Sequence, residues 1–372
     1  MKIVVVDTVY EGYVEHLYRD ASLIQKSYDE QYRATVEGGF PTLSSWVEPL
    51  RAKGHDVIDI WANHMPLQSR WCQDHGIKVT KTETGDPSFP DFVDIVAEQI
   101  RYYRPDVILN GYLYDFDSRF LRSVSDHYRI AVGQHAASLP QSDFSEYDAI
   151  ISSLPNQVAY FKQHGVASYL VKLAFDARLL PRLPPREKRY GLIFAGSISA
   201  DHKLRADSLR ALGKSVLVDV FGTVPDEFMP PRSGLGRIWR PLGGKAKSKI
   251  TLHPALWGME MYKTMSESRI VFNRHIDAAG PYANNLRLYE AVGSGALLLT
   301  DWKQNMDEIF TPGRECVTYR DTAECVEQAK YYLQNDAERE EIAQAGRRHL
   351  LAEHTYEHRV DELLQIIERH LC

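Results

Sequence analysis

YANNLRLYEAVGSG, residues 282–295, with the apolar run Ala296-Leu297-Leu298-Leu299 directly behind it, is the stretch on which the fold turns. Two asparagines come first. Leu286, Leu288, Tyr289 and Val292 then recur at helical spacing, and Gly293-Ser294-Gly295 ends the pattern, which is that of a short, capped helix. Four apolar residues in a row after a glycine read as a strand buried on both faces. A helix packed on such a strand needs only apolar residues, yet this one carries Arg287 and Glu290 three positions apart. Asn284 and Asn285 can cap it and leave free amides, and the positive end of the helix dipole, for an anion such as a diphosphate. Glu290 can accept two hydrogen bonds from vicinal hydroxyls, as on a ribose. Arg287 can pair with Glu290 at i,i+3 or reach a phosphate oxygen. A capped amphipathic helix with one salt bridge is the plainer reading of the same residues.

The pattern repeats on either side. Ile3–Asp7, Val57–Trp61, Val107–Asn110, Ile130–Gly133, Ala149–Ser152 and Tyr169–Leu173 read as short apolar strands, with helical patterns between them such as Phe89–Tyr103. Leu183-Pro-Pro-Arg-Glu-Lys reads as a linker, because adjacent prolines continue neither kind of element. Beyond it come strand candidates Gly191–Ala195, Val216–Phe221, Ile270–Asn273, Ala296–Thr300 and Cys316–Tyr319. Three helices close the chain: Ala323–Gln334, Ala337–Glu353 and Tyr356–Leu371. Strands alternating with helices predict an α/β protein made of two Rossmann-like parallel-sheet domains.

A length of 372 residues suits two domains, and 44% hydrophobic with 25% charged residues is the balance of a soluble globular chain. A net charge of −6 implies no general affinity for nucleic acid or anionic membrane. The chain starts on a strand rather than a signal peptide and contains no transmembrane run. Cys72, Cys316, Cys325 and Cys372 form neither a CxxC pair nor a metal spacing, so a cytoplasmic protein with reduced thiols is expected.

Ligands of such sheets bind beyond the carboxyl ends of the strands. Gly196 and Ser197 follow the first strand of the second domain and can bring amides and a hydroxyl to a phosphate, or form a simple turn capped by Ser199 or Asp201. His202 and Arg205 open the next helix, facing either a diphosphate or solvent. Arg274, His275 and Asp277 follow the strand Ile270–Asn273 and read as lining the same pocket, or as a polar strand end. Arg232 to Lys249, with six Lys or Arg and no acid, is an exposed loop or a basic lip. His354 and His358 lie i,i+4 beside Glu353, but no third ligand is evident. Solvated or capping roles are expected for them, and no structural or catalytic metal.

Taken together, Arg287-Leu-Tyr-Glu290-Ala-Val-Gly293-Ser-Gly295, the Leu run with Thr300-Asp301, Gly313-Arg-Glu315, Trp257-Gly-Met-Glu-Met-Tyr262 and Asn273-Arg-His-Ile-Asp277 resemble the donor half of GT-B glycosyltransferases. The match is nearest to the CgeB-like, spore-maturation type group, itself similar to family 4 glycosyltransferases. The resemblance implies a hexosyltransferase-like transfer of sugar from a nucleotide-sugar, expected to be a UDP-sugar, with no cofactor and no metal. It implies an acceptor domain over 1–182, a nucleotide-sugar domain over 183–355, and a helix, 356–372, crossing back onto the first. Glu290 matches the ribose-binding carboxylate, the 284–287 turn the diphosphate contact, and Gly196 and Ser197 the loop across the phosphates. The family 4 pattern places a second Glu eight residues before Glu290, where this chain has Tyr282. That role would pass to Asp277 or to the Asn284 and Asn285 amides, and retention or inversion stays open. Inversion would need a base among the N-terminal strand ends, where His135 and Asp117 stand. Saccharide, protein, lipid and small-metabolite acceptors all fit. A nucleotide-sugar epimerase and a catalytically idle binding or structural relative are the alternatives.

Overall fold

The computed structural model describes residues 1–78, 92–198, 203–225, 249–276 and 280–371. Strands β1 (Lys2–Asp7), β2 (Asp56–Trp61), β3 (Val107–Asn110), β4 (Ile130–Gln134), β5 (Ala149–Ser152) and β6 (Ser168–Leu170) form one sheet in the order β2-β1-β3-β4-β5-β6. Strands β7 (Tyr190–Ala195), β8 (Val218–Phe221), β9 (Ile250–His253), β10 (Ser268–Phe272), β11 (Leu297–Asp301) and β12 (Val317–Tyr319) form a second, in the order β12-β11-β10-β7-β8-β9. Every pairing is parallel. The α/β reading from the apolar runs holds. β9 is the strand those runs do not announce, because it lies at the sheet edge with its residues partly exposed and carries only Ile250 and Leu252 as apolar members.

Continuous apolar strands follow from burial on both faces. In the second sheet Ile193, Val271 and Leu298 join one apolar cluster. Their neighbours Leu192, Phe194, Ile270, Phe272, Leu297 and Leu299 join another. Successive side chains of a strand point to opposite faces, so both layers are dry and the Ala296–Leu299 run needs no polar member. In the first sheet Val4, Val6, Ile108, Ala131 and Ile150 are packed under the Phe92–Tyr103 helix.

By their contacts the residues form two units, Met1–Lys172 with Tyr356–Cys372, and Leu173–Thr355. The change of unit comes at Lys172, ahead of the Pro184-Pro185 stretch. That stretch runs along the second unit instead. Leu183 is buried in its apolar cluster, Arg186 pairs with Glu267 at 2.7 Å, and Lys188 Nζ donates to the carbonyls of Ser266 (3.0 Å) and Gly295 (2.9 Å). Prolines stop helices and strands, but the flanking side chains still bind this segment to the surface. No helix among the described residues is long and apolar enough to cross a membrane.

Candidate functional site

The second sheet reverses its winding between β7 and β10, with β8 and β9 to one side and β10, β11 and β12 to the other. Strand ends at such a reversal leave a crevice in which ligands bind. β7 runs out into Gly196-Ser197. The Gly196 N–H donates to the Phe221 carbonyl at 2.9 Å, and a Cβ on Gly222 would collide with the Gly196 carbonyl oxygen. The loops after β7 and β8 therefore lie backbone to backbone, which only glycine at 222 permits. Ser197 is exposed.

Arg205, on the Lys203–Ser215 helix, is buried and joins the two sides of the reversal. Its Nη1 donates to the Ser197 carbonyl at 2.8 Å and its Nη2 to the Arg274 carbonyl at 2.9 Å. Burial pulls its pKa down to about 10, and its Nε has no partner among the described residues. Two of its donors thus serve the backbone. At the end of β10, Asn273 Nδ2 donates to Thr300 Oγ1 (2.9 Å), and its Oδ1 accepts from Asn285 Nδ2 (3.1 Å). The Arg274 side chain lies beside the Tyr319 hydroxyl, which itself donates to the Asn273 carbonyl at 3.0 Å. His275 is buried against Asp301.

The helix forms over Leu286–Gly293. Asn285 is its N-cap, accepting the Arg287 N–H at 2.8 Å; Asn284 precedes the cap and is partly buried. The approach to the cap is held from the loop after β11. Asn305 Oδ1 accepts from the Ala283 N–H (2.6 Å), and Lys303 Nζ donates to the Gly280 carbonyl (2.6 Å). Glu290 is 4% exposed. Arg287 Nη1 pairs with its Oε2 at 2.7 Å, and the Tyr262 hydroxyl donates to its Oε1 at 3.3 Å. Arg287 also rests on Met261, 2.8 Å from the sulfur. The buried carboxylate is thus held by one cation and one phenol, both side-chain donors.

The structure thus gathers Gly196, Ser197, Arg205, Arg274, His275, Asn284, Asn285, Arg287 and Glu290 at one set of strand ends. His202, Asp277, Ser199 and Asp201 lie outside the described residues, as does 232–248 of the basic segment. Asn273, Thr300 and Asp301 were visible in the sequence as polar residues closing apolar strands, but their work of fixing the helix cap and the His275 ring depends on pairing between strands. Lys303, Asn305 and Gly222 left no local signal, and Tyr262 stood in the sequence only as the end of the Trp257–Tyr262 stretch.

In the first unit His135 follows β4 and is buried. Its Nε2 lies 3.0 Å from the Ser138 carbonyl, which can only accept, so Nε2 carries the hydrogen. Burial lowers its pKa despite that bond. Asp117 is the N-cap of the Ser118–Ser123 helix, accepting from the Arg119 and Phe120 N–H groups at 2.9 and 3.2 Å. Both have structural partners. Asp7 stands where the first sheet reverses its winding, between β1 and β3. His354, buried against Tyr289 and Phe310, ends the Asp336–Glu353 helix. Among the described residues no group of three His, Cys, Asp or Glu is placed to hold a metal ion.

Two six-stranded parallel sheets, each with helices on it, recur in known structures. AviGT4, a glycosyltransferase involved in avilamycin A biosynthesis, matches with a TM-score of 0.60 at 12% identity, over 100% of this chain and 98% of that one. HepE of Anabaena, in complex with UDP and glucose, matches with a TM-score of 0.63 at 11% identity, over 99% and 100%. The fold is GT-B. A third GT-B match is sucrose-phosphate synthase from Thermosynechococcus elongatus, with a TM-score of 0.57 at 12% identity over 99% and 98%. Residues 206–365, which hold the Leu286–Gly293 helix and the ends of β10 and β11, match the family model "Glycosyl transferase-like". No curated protein matches the sequence significantly.

Proposed function

We propose that this chain is a glycosyltransferase that takes a sugar from a nucleotide-sugar, a UDP-sugar, and passes it to an acceptor. The observation that carries the reading is the buried Glu290, held by Arg287 and Tyr262 on a helix whose cap is fixed at the winding reversal of the second sheet. A GT-B fold, a glycosyl transferase-like match over 206–365 and a fold neighbour in complex with UDP and glucose support it. In this reading Glu290 accepts the ribose hydroxyls, and the 284–287 turn at the helix start meets the diphosphate. Arg274 helps to stabilise the departing nucleoside diphosphate as charge builds on it. The first unit takes the acceptor. The CgeB-like assignment and the hexosyl class of the sugar belong to the same proposal.

The test is a thermal-shift panel of UDP, GDP, CDP, ADP and dTDP on the wild type and on Glu290→Ala. UDP is expected to raise the melting temperature, as a ligand that binds only the folded state must. The variant is expected to bind roughly 1.5–3 kcal/mol more weakly, the range of hydrogen bonds to a charged group. No shift with any nucleotide would sink the reading. Equal shifts in wild type and variant would sink the ribose assignment alone.

A further inference from the structure

His275 directly follows β10 at the winding reversal, and its side chain has no exposed surface. Two of its hydrogens go to one acceptor atom: Asp301 Oδ1 takes the backbone N–H at 2.9 Å and lies 2.8 Å from Nδ1. Burial works against the charge of Asp301, but His275 and Lys303 outweigh it and hold the carboxyl down at about 2. An ionised carboxylate only accepts, so Nδ1 carries the hydrogen. The opposite ring nitrogen, Nε2, is buried and has no partner among the described residues. Buried polar atoms are rarely left so, and an absent ligand is one physical reason when they are. Arg205 Nε, on the side chain that ties Ser197 to Arg274, is a second such nitrogen in the same cluster. The capped start of the Leu286–Gly293 helix is bonded to Asn273, two residues before His275. Two unmet nitrogens near a helix N-terminus are the complement of an anion with several oxygens.

We propose that His275, oriented by Asp301, binds the diphosphate of the nucleotide-sugar as an imidazolium, its Nε2–H donating to a non-bridging phosphate oxygen. The inference rests on the nucleotide-sugar reading and deepens it. His275 touches the ligand; Asp301 is a positioning residue that fixes the ring and stabilises its proton. Binding then favours the protonated ring, so affinity falls as pH rises. The charged and titratable groups around the pair include Lys303 beside Asp301 on the β11 side, Arg274 on the β10 side, Tyr319 from β12 and Cys325 from the Thr322–Gln334 helix. Arg205 comes from the Lys203–Ser215 helix, and Arg287, itself paired with Glu290, from the Leu286–Gly293 helix. Asp301 is the acid bonded to the ring.

The experiment is calorimetric titration of the full chain with UDP-glucose from about pH 5.5 to about pH 8.5, spanning the range in which histidine titrates. UDP-glucose is the probe because its diphosphate is doubly esterified and keeps its charge over that span, so any pH dependence belongs to the protein. His275→Asn retains a donor where Nδ1 stands and removes Nε2. His275→Gln places an amide nearer Nε2. Wild-type affinity is expected to fall with rising pH, with proton uptake read from buffers of different ionisation enthalpy. His275→Asn is expected to bind about tenfold or more weakly and without that pH dependence, the loss of one charge-assisted hydrogen bond. His275→Gln is expected to recover part of the affinity but none of the pH dependence. Asp301→Asn is expected to shift the fall in affinity to lower pH. A folded His275→Asn that binds like the wild type, with the same pH dependence, overturns the role given to His275 and leaves the donor site standing. Wild type that binds neither UDP-glucose nor any nucleotide of the panel overturns the nucleotide-sugar reading, and this inference with it.

Discussion

Asp7 ends β1, and both of its oxygens are occupied by backbone donors: Oδ1 accepts from the Thr8 N–H at 2.8 Å and Oδ2 from the Leu43 N–H at 2.7 Å. Burial pushes its carboxyl up from 3.8 to about 6, with Asp59 adding to the shift and the two amides opposing it. The folded state therefore holds this proton more tightly than the unfolded chain does. The contribution is fully present below the unfolded pKa and is lost as pH rises through the folded one, a change on the order of 3 kcal/mol at most. Asp7→Asn is expected to flatten the slope of stability against pH between those two values. Chemical denaturation at several pH values checks this, and an unchanged slope would show that Asp7 is not the group responsible. Arg287 and Glu290 show the same economy at the other sheet. Each neutralises the other in a buried place, so removing either leaves a charge without its partner.

The last helix, Tyr356–Leu371, turns Tyr356, Val360, Leu363, Ile366 and Ile367 inward at i,i+3 and i,i+4 spacing. It belongs by its contacts to the first unit, although the segment before it belongs to the second. Three polar bonds hold it to the first unit as well. Arg359 Nε donates to the Lys172 carbonyl at 3.0 Å, Lys53 pairs with Asp361 at 2.5 Å, and the Tyr169 hydroxyl lies 3.1 Å from His370 Nε2. Four buried aliphatic side chains at roughly 1.5 kcal/mol or more each are comparable with the whole stability of a domain. Ending the chain after Thr355 is expected to leave residues 1–172 open to limited proteolysis. A truncated chain with an intact, protease-resistant first unit would contradict that.

The apolar clusters described above each draw on the strands of one sheet. Unfolding of the full chain is therefore expected to depart from two-state behaviour. A nucleotide held by the second unit adds RT ln(1 + [L]/Kd), about 2.7 kcal/mol at a hundredfold excess over Kd, to that unit alone. Scanning calorimetry with and without saturating UDP is expected to show one component moving up by several degrees while the other stays. A single calorimetrically two-state transition that moves as a whole would refute independent units.

The amino-acid pattern by itself determined the architecture. Runs such as Val4-Val5-Val6 and Leu297-Leu298-Leu299 can only be strands buried on both faces, and with helices between them they dictate parallel sheets. It also marked a capped helix start at a strand end, with Asn285, Arg287 and Glu290 fitting either a capped helix with one salt bridge or a ligand site. What it left undecided depends on residues far apart in the chain. The edge strand β9 has half the apolar signal of a central strand. The packing of Gly222 on Gly196 follows from the loops after β7 and β8 lying side by side, which sheet order sets. The His275–Asp301 pair, 26 positions apart, exists only because β10 and β11 are neighbours in register. His135 and Asp117 stand in a linear reading only as candidates for a base, and the loops around them add a carbonyl and two amides as partners. Periodicity records which face of an element is buried; it does not record which polar groups meet across elements, and tertiary structure decides that.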